Sequence, residues 1–193
     1  MKRVCVFAGS HSGSQREYFG AAQELGQALV RRQMSLVYGG ARVGLMGALA
    51  DAVLAAQGHV TGVIPEALVV KEVAHSGLSD LRVVASMHER KAVMADLADG
   101  FIALPGGWGT LEEFFEVLTW GQLGLHQKPC GLLNVRGFFD GLLSFIDHSI
   151  DEGFVRRENR SMVLVASSPD ALLELLEQYV APVAEKWIDR AST

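Results

Sequence analysis

Short apolar runs of strand length alternate along the chain with longer segments that have helical periodicity. The predicted strands are residues 4–8, 36–38, 60–64, 101–104, 131–135 and 162–165. The predicted helices are residues 15–32, 45–57, 87–98, 110–123, 138–152 and 169–179. Strands that alternate with crossover helices are typical of a parallel sheet. The pattern therefore predicts an α/β fold.

The length of 193 residues fits one domain, against a prior of ~150 residues per domain. We expect residues 1–180 to form this domain and residues 181–193 to be a C-terminal tail. Residues 65–86 form the longest stretch without a predicted element, and loops of such length often have a functional role.

Charge and apolar content exclude several classes of protein. The formal net charge of −5 and the pI of about 5.7 provide no basic face for a nucleic-acid polymer. No apolar run reaches the ~18 residues of a membrane span, and the first run ends at Gly9 like a strand rather than a signal peptide. Cys5 and Cys130 lie far apart in sequence, each in an apolar stretch typical of a strand, which favours buried free thiols and a cytoplasmic location.

Three glycine clusters follow predicted strands, so all three are expected at the carboxyl edge of the sheet. They begin at Gly9, Gly39 and Gly106. Ligands of parallel sheets bind at this edge, and a helix that begins behind a glycine turn presents N–H groups to an anion. The clusters predict a phosphate-bearing ligand, although glycines also occur in turns with no ligand. The full dinucleotide and P-loop patterns are absent, which disfavours NAD and ATP.

The third cluster leads from a strand through Pro105 and the glycines into a helix with Glu112 and Glu113 expected in its first turn. Two interpretations of these acids remain open on spacing alone. They complement the helix dipole, an effect of up to about 1 kcal/mol, or one of them faces the ligand. In that second position a carboxylate stabilises a ribosyl oxocarbenium ion or activates water.

A second group of candidates lies at the start of the helix predicted over residues 87–98. Arg90 and Lys91 form either a solvated pair with Glu89 or Asp96, or an oxyanion clamp. The clamp is attractive because a guanidinium binds oxyanions through two hydrogen bonds and is always charged. The six histidines have no metal-ligand spacing, so we expect no metal site.

Met-His-x-Arg-Lys at residues 87–91, followed by Pro-Gly-Gly-x-Gly-Thr-x-x-Glu at residues 105–113, closely resembles the LONELY GUY (LOG) family. Its members are cytokinin riboside 5′-monophosphate phosphoribohydrolases, many mislabelled as lysine decarboxylases. The resemblance extends to residues 38–47 and 118–120 and spans roughly residues 4–165. It implies a Rossmann-like three-layer sandwich, with a mainly parallel sheet flanked by helices. It also implies a homodimer with active sites near the subunit interface, and hydrolysis without a cofactor or metal.

The resemblance assigns roles residue by residue. The family's catalytic arginine and glutamate fall on Arg90 and Glu113, and further substrate contacts fall on Glu72, Lys91, Gly106, Gly107, Trp108, Gly109, Thr110, Leu111, Glu112 and Thr119. The chain departs from the family in two places, since many members have Tyr at Trp108 and a third glycine at Ala41. The first change affects base or dimer contacts, and the second narrows the floor of the pocket.

The expected reaction is hydrolysis of the N-glycosidic bond of N6-modified adenosine 5′-monophosphate to free base and ribose 5-phosphate. One alternative is a general purine or pyrimidine 5′-nucleotide nucleosidase, because an apolar pocket discriminates by only about 1–3 kcal/mol per methylene-sized change. Another is a nucleotide-binding module without catalysis. A DNA-handling protein is opposed by the acidic charge. A lysine decarboxylase is opposed because only Lys91 suggests a Schiff-base lysine.

Overall fold

A computed structural model describes residues 1–69 and 74–182 of the chain. The strands are β1 Arg3–Phe7, β2 Ser35–Tyr38, β3 Val60–Pro65, β4 Asp80–Val84, β5 Gly100–Ala103, β6 Cys130–Leu133 and β7 Val163–Ala166. The α-helices are α1 Arg16–Arg31, α2 Gly44–Ala55, α3 Glu66–Val69, α4 Met87–Leu97, α5 Trp108–Gln122, α6 Asp140–Asp151 and α7 Pro169–Gln178. Two 3-10 helices cover Val135–Gly137 and Arg157–Met162.

The strands form one sheet in the order β4-β3-β2-β1-β5-β6-β7, and all neighbouring pairs are parallel. The predicted α/β fold with a parallel sheet is confirmed. The chain runs outward from β1 to β4 and then returns to β5, which pairs with the other side of β1. The order therefore reverses between β1 and β5, and ligands of open parallel sheets bind at such a switch point.

Helices cover both faces of the sheet and give three layers. Successive strand residues point to opposite faces, so Val4 and Val6 of β1 join one core while Cys5 and Phe7 join the other. The first core is closed by α1, α2 and α7, and the second by α4, α5 and α6. Within residues 1–69 and 74–182, no helix combines the length and the apolar character that crossing a membrane requires.

The sequence prediction missed β4 and the single-turn helix α3, both of which lie inside the stretch 65–86. Among the described residues, strand β4 pairs only with β3, so it lies at the edge of the described sheet. Its residues alternate charge with apolar side chains, Arg82 bonds Asp80 on the same strand, and Val83 is 54% exposed. Charged residues are common on edge strands. Because they interrupt β4, it lacks the continuous apolar run that predicts the other strands.

Helix α4, which positions Arg90, begins with a defined cap. The Ser86 side chain accepts a hydrogen bond from the Glu89 backbone N–H at 3.1 Å, and the Glu89 carboxylate accepts one from the Ala85 N–H at 2.7 Å. This exchange resembles a capping box, in which each side chain satisfies a backbone donor at the helix start.

We expect Ser86→Ala to lower the free energy of unfolding by about 1 kcal/mol, because it removes this cap. Ser168→Ala is the matched control, since Ser168 precedes α7 but its side chain makes no capping hydrogen bond. Urea unfolding of the two variants checks the prediction. Equal losses in both would contradict the role of the Ser86 side chain.

Candidate active site

The three glycine clusters meet at the carboxyl edge of the sheet. The Gly9 N–H donates to the Pro105 carbonyl at 3.1 Å, and the Gly9 carbonyl accepts from the Leu45 N–H at 3.0 Å. Gly44, with a φ of +58°, lies so close to the Ser10 backbone that a Cβ would collide with it. Glycine is required there by both space and conformation.

A pocket of about 320 Å³ opens between the loop after β1 and the glycine loop after β5. It lies at the point where the strand order reverses. Tyr18, Leu45 and Phe138 form its apolar wall, and Tyr18 and Phe138 contact edge to face with ring centroids 5.7 Å apart. Gly106 and Gly107 form part of its rim. Neither aromatic residue belongs to a motif that the sequence analysis singled out.

The glycine loop passes directly into α5, which begins at Trp108 with Gly107 as its N-cap. Thr110 is buried and packs over Gly106, where a Cβ would collide with the threonine hydroxyl. Trp108 is 90% exposed. Apart from their chain neighbours and the backbone of α5 itself, no described residue lies within 4 Å of the position that a Cβ would take on Gly107 or Gly109, so the space over these two glycines is open.

The start of α5 corrects the prediction for the two acids. The helix begins two residues before the expected Thr110, so Glu112 and Glu113 lie in its second turn and no acid lies in the first. The helix dipole acts mainly on groups within the first turn. The interpretation of Glu112 and Glu113 as dipole partners therefore loses its basis.

Arg90 is buried, with only 5% of its surface exposed. Its Nε donates to the Val63 carbonyl at 3.0 Å and its Nη2 to the Gly39 carbonyl at 2.9 Å. Gly39 directly follows β2, and Val63 lies in the second half of the neighbouring strand β3. The interpretation of Arg90 as part of a solvated surface pair is wrong. A buried charge needs such partners, because an unpaired one is strongly destabilising.

Arg90 and Glu113 come from different helices but act on the same buried thiol. Burial raises the pKa of Cys5 in β1, the negative charge of Glu113 raises it further, and the positive charge of Arg90 opposes this rise. The half-buried Glu113 carboxylate and the Arg90 guanidinium thus lie within electrostatic range of one point in the sheet. The motifs at residues 87–91 and 105–113 converge there.

Both cysteines are free and buried, as the sequence predicts. Burial raises the pKa of Cys130 to about 12, so this thiol stays protonated at neutral pH. Across the described residues, no group of three or more His, Cys, Asp or Glu side chains is placed to hold a metal ion.

Lys91 points to α5 rather than to Glu89 or Asp96. Its Nζ lies 2.5 Å from a Glu112 carboxylate oxygen and 3.0 Å from one of Glu116. Burial alone would lower the pKa of Lys91, but the hydrogen bonds that its ammonium donates to these carboxylates raise the pKa above its ordinary value. The ammonium is therefore protonated and engaged. A substrate contact for Lys91 or Glu112 stays a prediction.

Three predicted contacts remain. Leu111 is half-buried and packs against the second core. Thr119 is exposed, donates to the Phe115 carbonyl at 2.7 Å, and lies about 9 Å along α5 from Glu113. Glu72 lies outside the described residues. Residues just after it are tied to the second glycine cluster, since the His75 N–H donates to the Gly40 carbonyl at 3.0 Å.

We expect Lys91→Met to lower the free energy of unfolding by about 1–3 kcal/mol, because it leaves the partly buried Glu116 without its cation. The raised pKa of Lys91 means that this stabilisation is complete below about pH 10 and is lost as the pH rises further. Urea unfolding at neutral and high pH measures it. The exposed Lys2→Met is the control and should change stability by less than about 0.5 kcal/mol. A similar loss in both variants would contradict the assignment.

Comparison with known proteins shows the family to which this chain belongs. Residues 46–176 match a family described as "Possible lysine decarboxylase". The chain is 50% identical over 191 residues to the cytokinin riboside 5′-monophosphate phosphoribohydrolase LOG1 of Arabidopsis thaliana, covering 99% of this chain and 89% of that protein. It is 51% identical over 179 residues to the cytokinin riboside 5′-monophosphate phosphoribohydrolase LOG of Oryza sativa subsp. japonica. That match covers 93% of this chain and 74% of the rice protein.

Solved structures with the same fold are more distant in sequence. The molybdenum cofactor carrier protein of Chlamydomonas reinhardtii superposes with a TM-score of 0.69 at 20% identity, covering 91% of this chain and 96% of that one. The molybdenum cofactor binding protein of Rippkaea orientalis gives 0.67 at 24% identity, covering 92% and 96%. At these identities the likeness concerns the Rossmann-like fold alone. The family match and the relatives of about 50% identity together show that this chain belongs to the LOG family of cytokinin riboside 5′-monophosphate phosphoribohydrolases.

Proposed function

We propose that this protein hydrolyses the N-glycosidic bond of N6-modified adenosine 5′-monophosphate and releases the free base and ribose 5-phosphate. The observation that carries the proposal is the glycine loop that opens α5 at the carboxyl edge of the sheet, with Glu113 on that helix and the buried Arg90 held by backbone carbonyls at the same edge. The relatives named for this reaction support it.

The 5′-phosphate would dock on Gly106, Gly107, Gly109 and Thr110. The N-cap Gly107 has no side chain that could satisfy the first N–H groups of α5. These donors and the positive end of the helix dipole suit a phosphate. The open space over Gly107 and Gly109 leaves room for it. A phosphate held there would orient the ribose for reaction.

Glu113 would act at C1′ of the ribose. Its carboxylate stabilises positive charge as the C1′–N bond lengthens, and it accepts a proton from the attacking water. The water oxygen forms the new bond to C1′. The electron pair of the broken bond leaves with the base, which takes up a proton at nitrogen.

Arg90 would supply a fixed positive charge at the same centre. A guanidinium is charged at every working pH, and two backbone carbonyls hold this one in place. It stabilises negative charge on the phosphate or on the departing base. Further contacts to substrate are proposed for Glu72, Lys91, Trp108, Leu111, Glu112 and Thr119.

We also propose that the protein works as a homodimer in the reducing cytoplasm. Trp120 of α5, with Leu123 and Leu125 just after it, lines the apolar part of a pocket of about 400 Å³. The remaining lining residues are Ala92, Ala95, Asp96, His126 and Lys128. Burial of such a surface favours association. The exposed Thr119 immediately precedes this surface. A substrate contact from Thr119 would fit an active site that lies near a subunit interface.

Two other activities are less compatible with these residues. A module that only binds nucleotide needs the glycine cradle but no carboxylate near C1′, so Glu113 favours hydrolysis. A decarboxylase needs an unprotonated lysine to form a Schiff base. Lys91 has a raised pKa and is engaged by two carboxylates, which opposes that chemistry.

Purified protein should release free base from isopentenyladenosine 5′-monophosphate, and chromatography would detect it. The matching riboside should stay intact because it lacks the phosphate. Glu113→Gln should lower kcat by about 10²–10⁴-fold, since it removes the general base, and Arg90→Ala should also be strongly impaired. The rate of base release from AMP, measured in parallel, shows whether the N6 substituent affects hydrolysis. Base release from the riboside at the same rate would contradict the phosphate cradle, and a nucleotide bound without turnover would favour a binding module.

Gly109→Ala tests whether substrate occupies the space over the glycine loop. Alanine favours a helix over glycine by up to about 1 kcal/mol, and no described neighbour obstructs the new methyl group. We expect stability to be kept or increased while KM for the monophosphate rises roughly tenfold, because the methyl group enters the phosphate site.

Gly141→Ala is the matched control for this variant. Gly141 is likewise the second residue of a helix, α6, with open space at its Cβ position. It should show the same effect on stability with an unchanged KM. An unchanged KM in Gly109→Ala would contradict the proposal that the phosphate binds at Gly109.

A further inference from the structure

We propose that Gly39 is a positioning residue for Arg90, and that its lack of a side chain is what seats the guanidinium. The inference rests on the proposed function, in which Arg90 stabilises charge during hydrolysis. Gly39 directly follows β2, at the carboxyl edge of the sheet. On sequence alone, its glycine cluster predicts either a phosphate site or a turn with no ligand.

The contact between the two residues is direct. The Arg90 Nη2 donates to the Gly39 carbonyl at 2.9 Å, and the Arg90 Nε donates to the Val63 carbonyl at 3.0 Å. These carbonyls belong to neighbouring strand ends and hold one edge of a planar fork. The guanidinium lies so close to Gly39 that any Cβ there would overlap Nη2 and would lie only 3.2 Å from Cζ.

Backbone conformation does not account for glycine at this position. Gly40 and Gly44 have φ values of +80° and +58°, which other residues rarely adopt, but Gly39 is not among the glycines with positive φ. The space at Gly39 is instead filled by the Arg90 side chain. The requirement for glycine therefore comes from the arginine.

A methyl group at Gly39 would act on the arginine more than on the fold. At Gly47 an added Cβ would collide with the Arg42 backbone, which cannot move without shifting the chain. At Gly39 it meets the far end of a flexible side chain. Gly39→Ala should therefore fold and displace the guanidinium. A displacement of about 1 Å in an active site can cost roughly 10²-fold in rate.

The test compares base release and thermal unfolding in the wild type, Gly39→Ala, Arg90→Ala and the double variant. Gly39→Ala should lower kcat by about 10²-fold with KM changed less than about threefold, because the loss is in transition-state stabilisation. With Arg90 already truncated, the nearest remaining neighbour of the methyl group is the Met46 sulfur, at an ordinary 3.4 Å. The double variant should therefore match Arg90→Ala in both kcat and Tm. Gly20→Ala, with open space at its Cβ position in α1, is the control: its kcat should equal that of the wild type, and its Tm should be kept or increased.

Each other outcome decides against a stated part of the account. A kcat for Gly39→Ala equal to that of the wild type would overturn the positioning role, and so would an equal fractional loss in both backgrounds. If Gly39→Ala does not fold, the double variant decides, since the proposal requires it to fold as well as Arg90→Ala. A wild type that releases no base would overturn the proposed function instead. The Tm cycle would then still show whether Gly39 seats Arg90.

Discussion

The candidate active site depends on the burial of one positive charge at the carboxyl edge of the sheet. Arg90 is almost fully removed from water, and the Val63 and Gly39 carbonyls accept hydrogen bonds from its Nε and Nη2. Burial of an ion without such partners is costly, so the buried arginine depends on the placement of β2, β3 and α4. The Ser86 cap fixes the start of α4 and with it the direction from which Arg90 enters.

The glycines at this edge have separate tasks. Gly44 brings α2 against the loop after β1, Gly106 makes room for Thr110, and Gly39 makes room for Arg90. Gly107 and Gly109 face open space instead. Glycine therefore allows close packing at some of these positions and leaves open space for a ligand at others. The sequence does not distinguish the two roles, because they depend on which atoms surround the position that a Cβ would occupy.

Much of the fold is predictable from the sequence, because buried parallel strands and amphipathic helices have distinct periods. Six of the seven strands and the longer helices follow from that pattern. The edge strand β4 does not, since Asp80 and Arg82 interrupt its apolar run. The sequence pattern predicts the start of α5 two residues late, because Trp108 and Gly109 continue a glycine-rich segment that is typical of a loop.

The candidate site is less predictable than the fold. The motifs at residues 87–91 and 105–113 identify Arg90 and Glu113 as candidates, and the resemblance to the LOG family implies their roles. Sequence spacing cannot show that Lys91 turns to Glu112 and Glu116, nor that Gly39 serves the arginine. These facts depend on which side chain occupies which space, and residues distant in sequence determine that.

The central claim is that Arg90 and Glu113 form one catalytic unit across α4 and α5. It is tested most directly by kcat for hydrolysis of isopentenyladenosine 5′-monophosphate in the Arg90→Ala/Glu113→Gln double variant, beside the two single variants and the wild type. Residues that act as a unit show strongly non-additive losses. The account predicts that the double variant is about as slow as the slower single variant. Losses that multiply would contradict it, because the two side chains would then act independently.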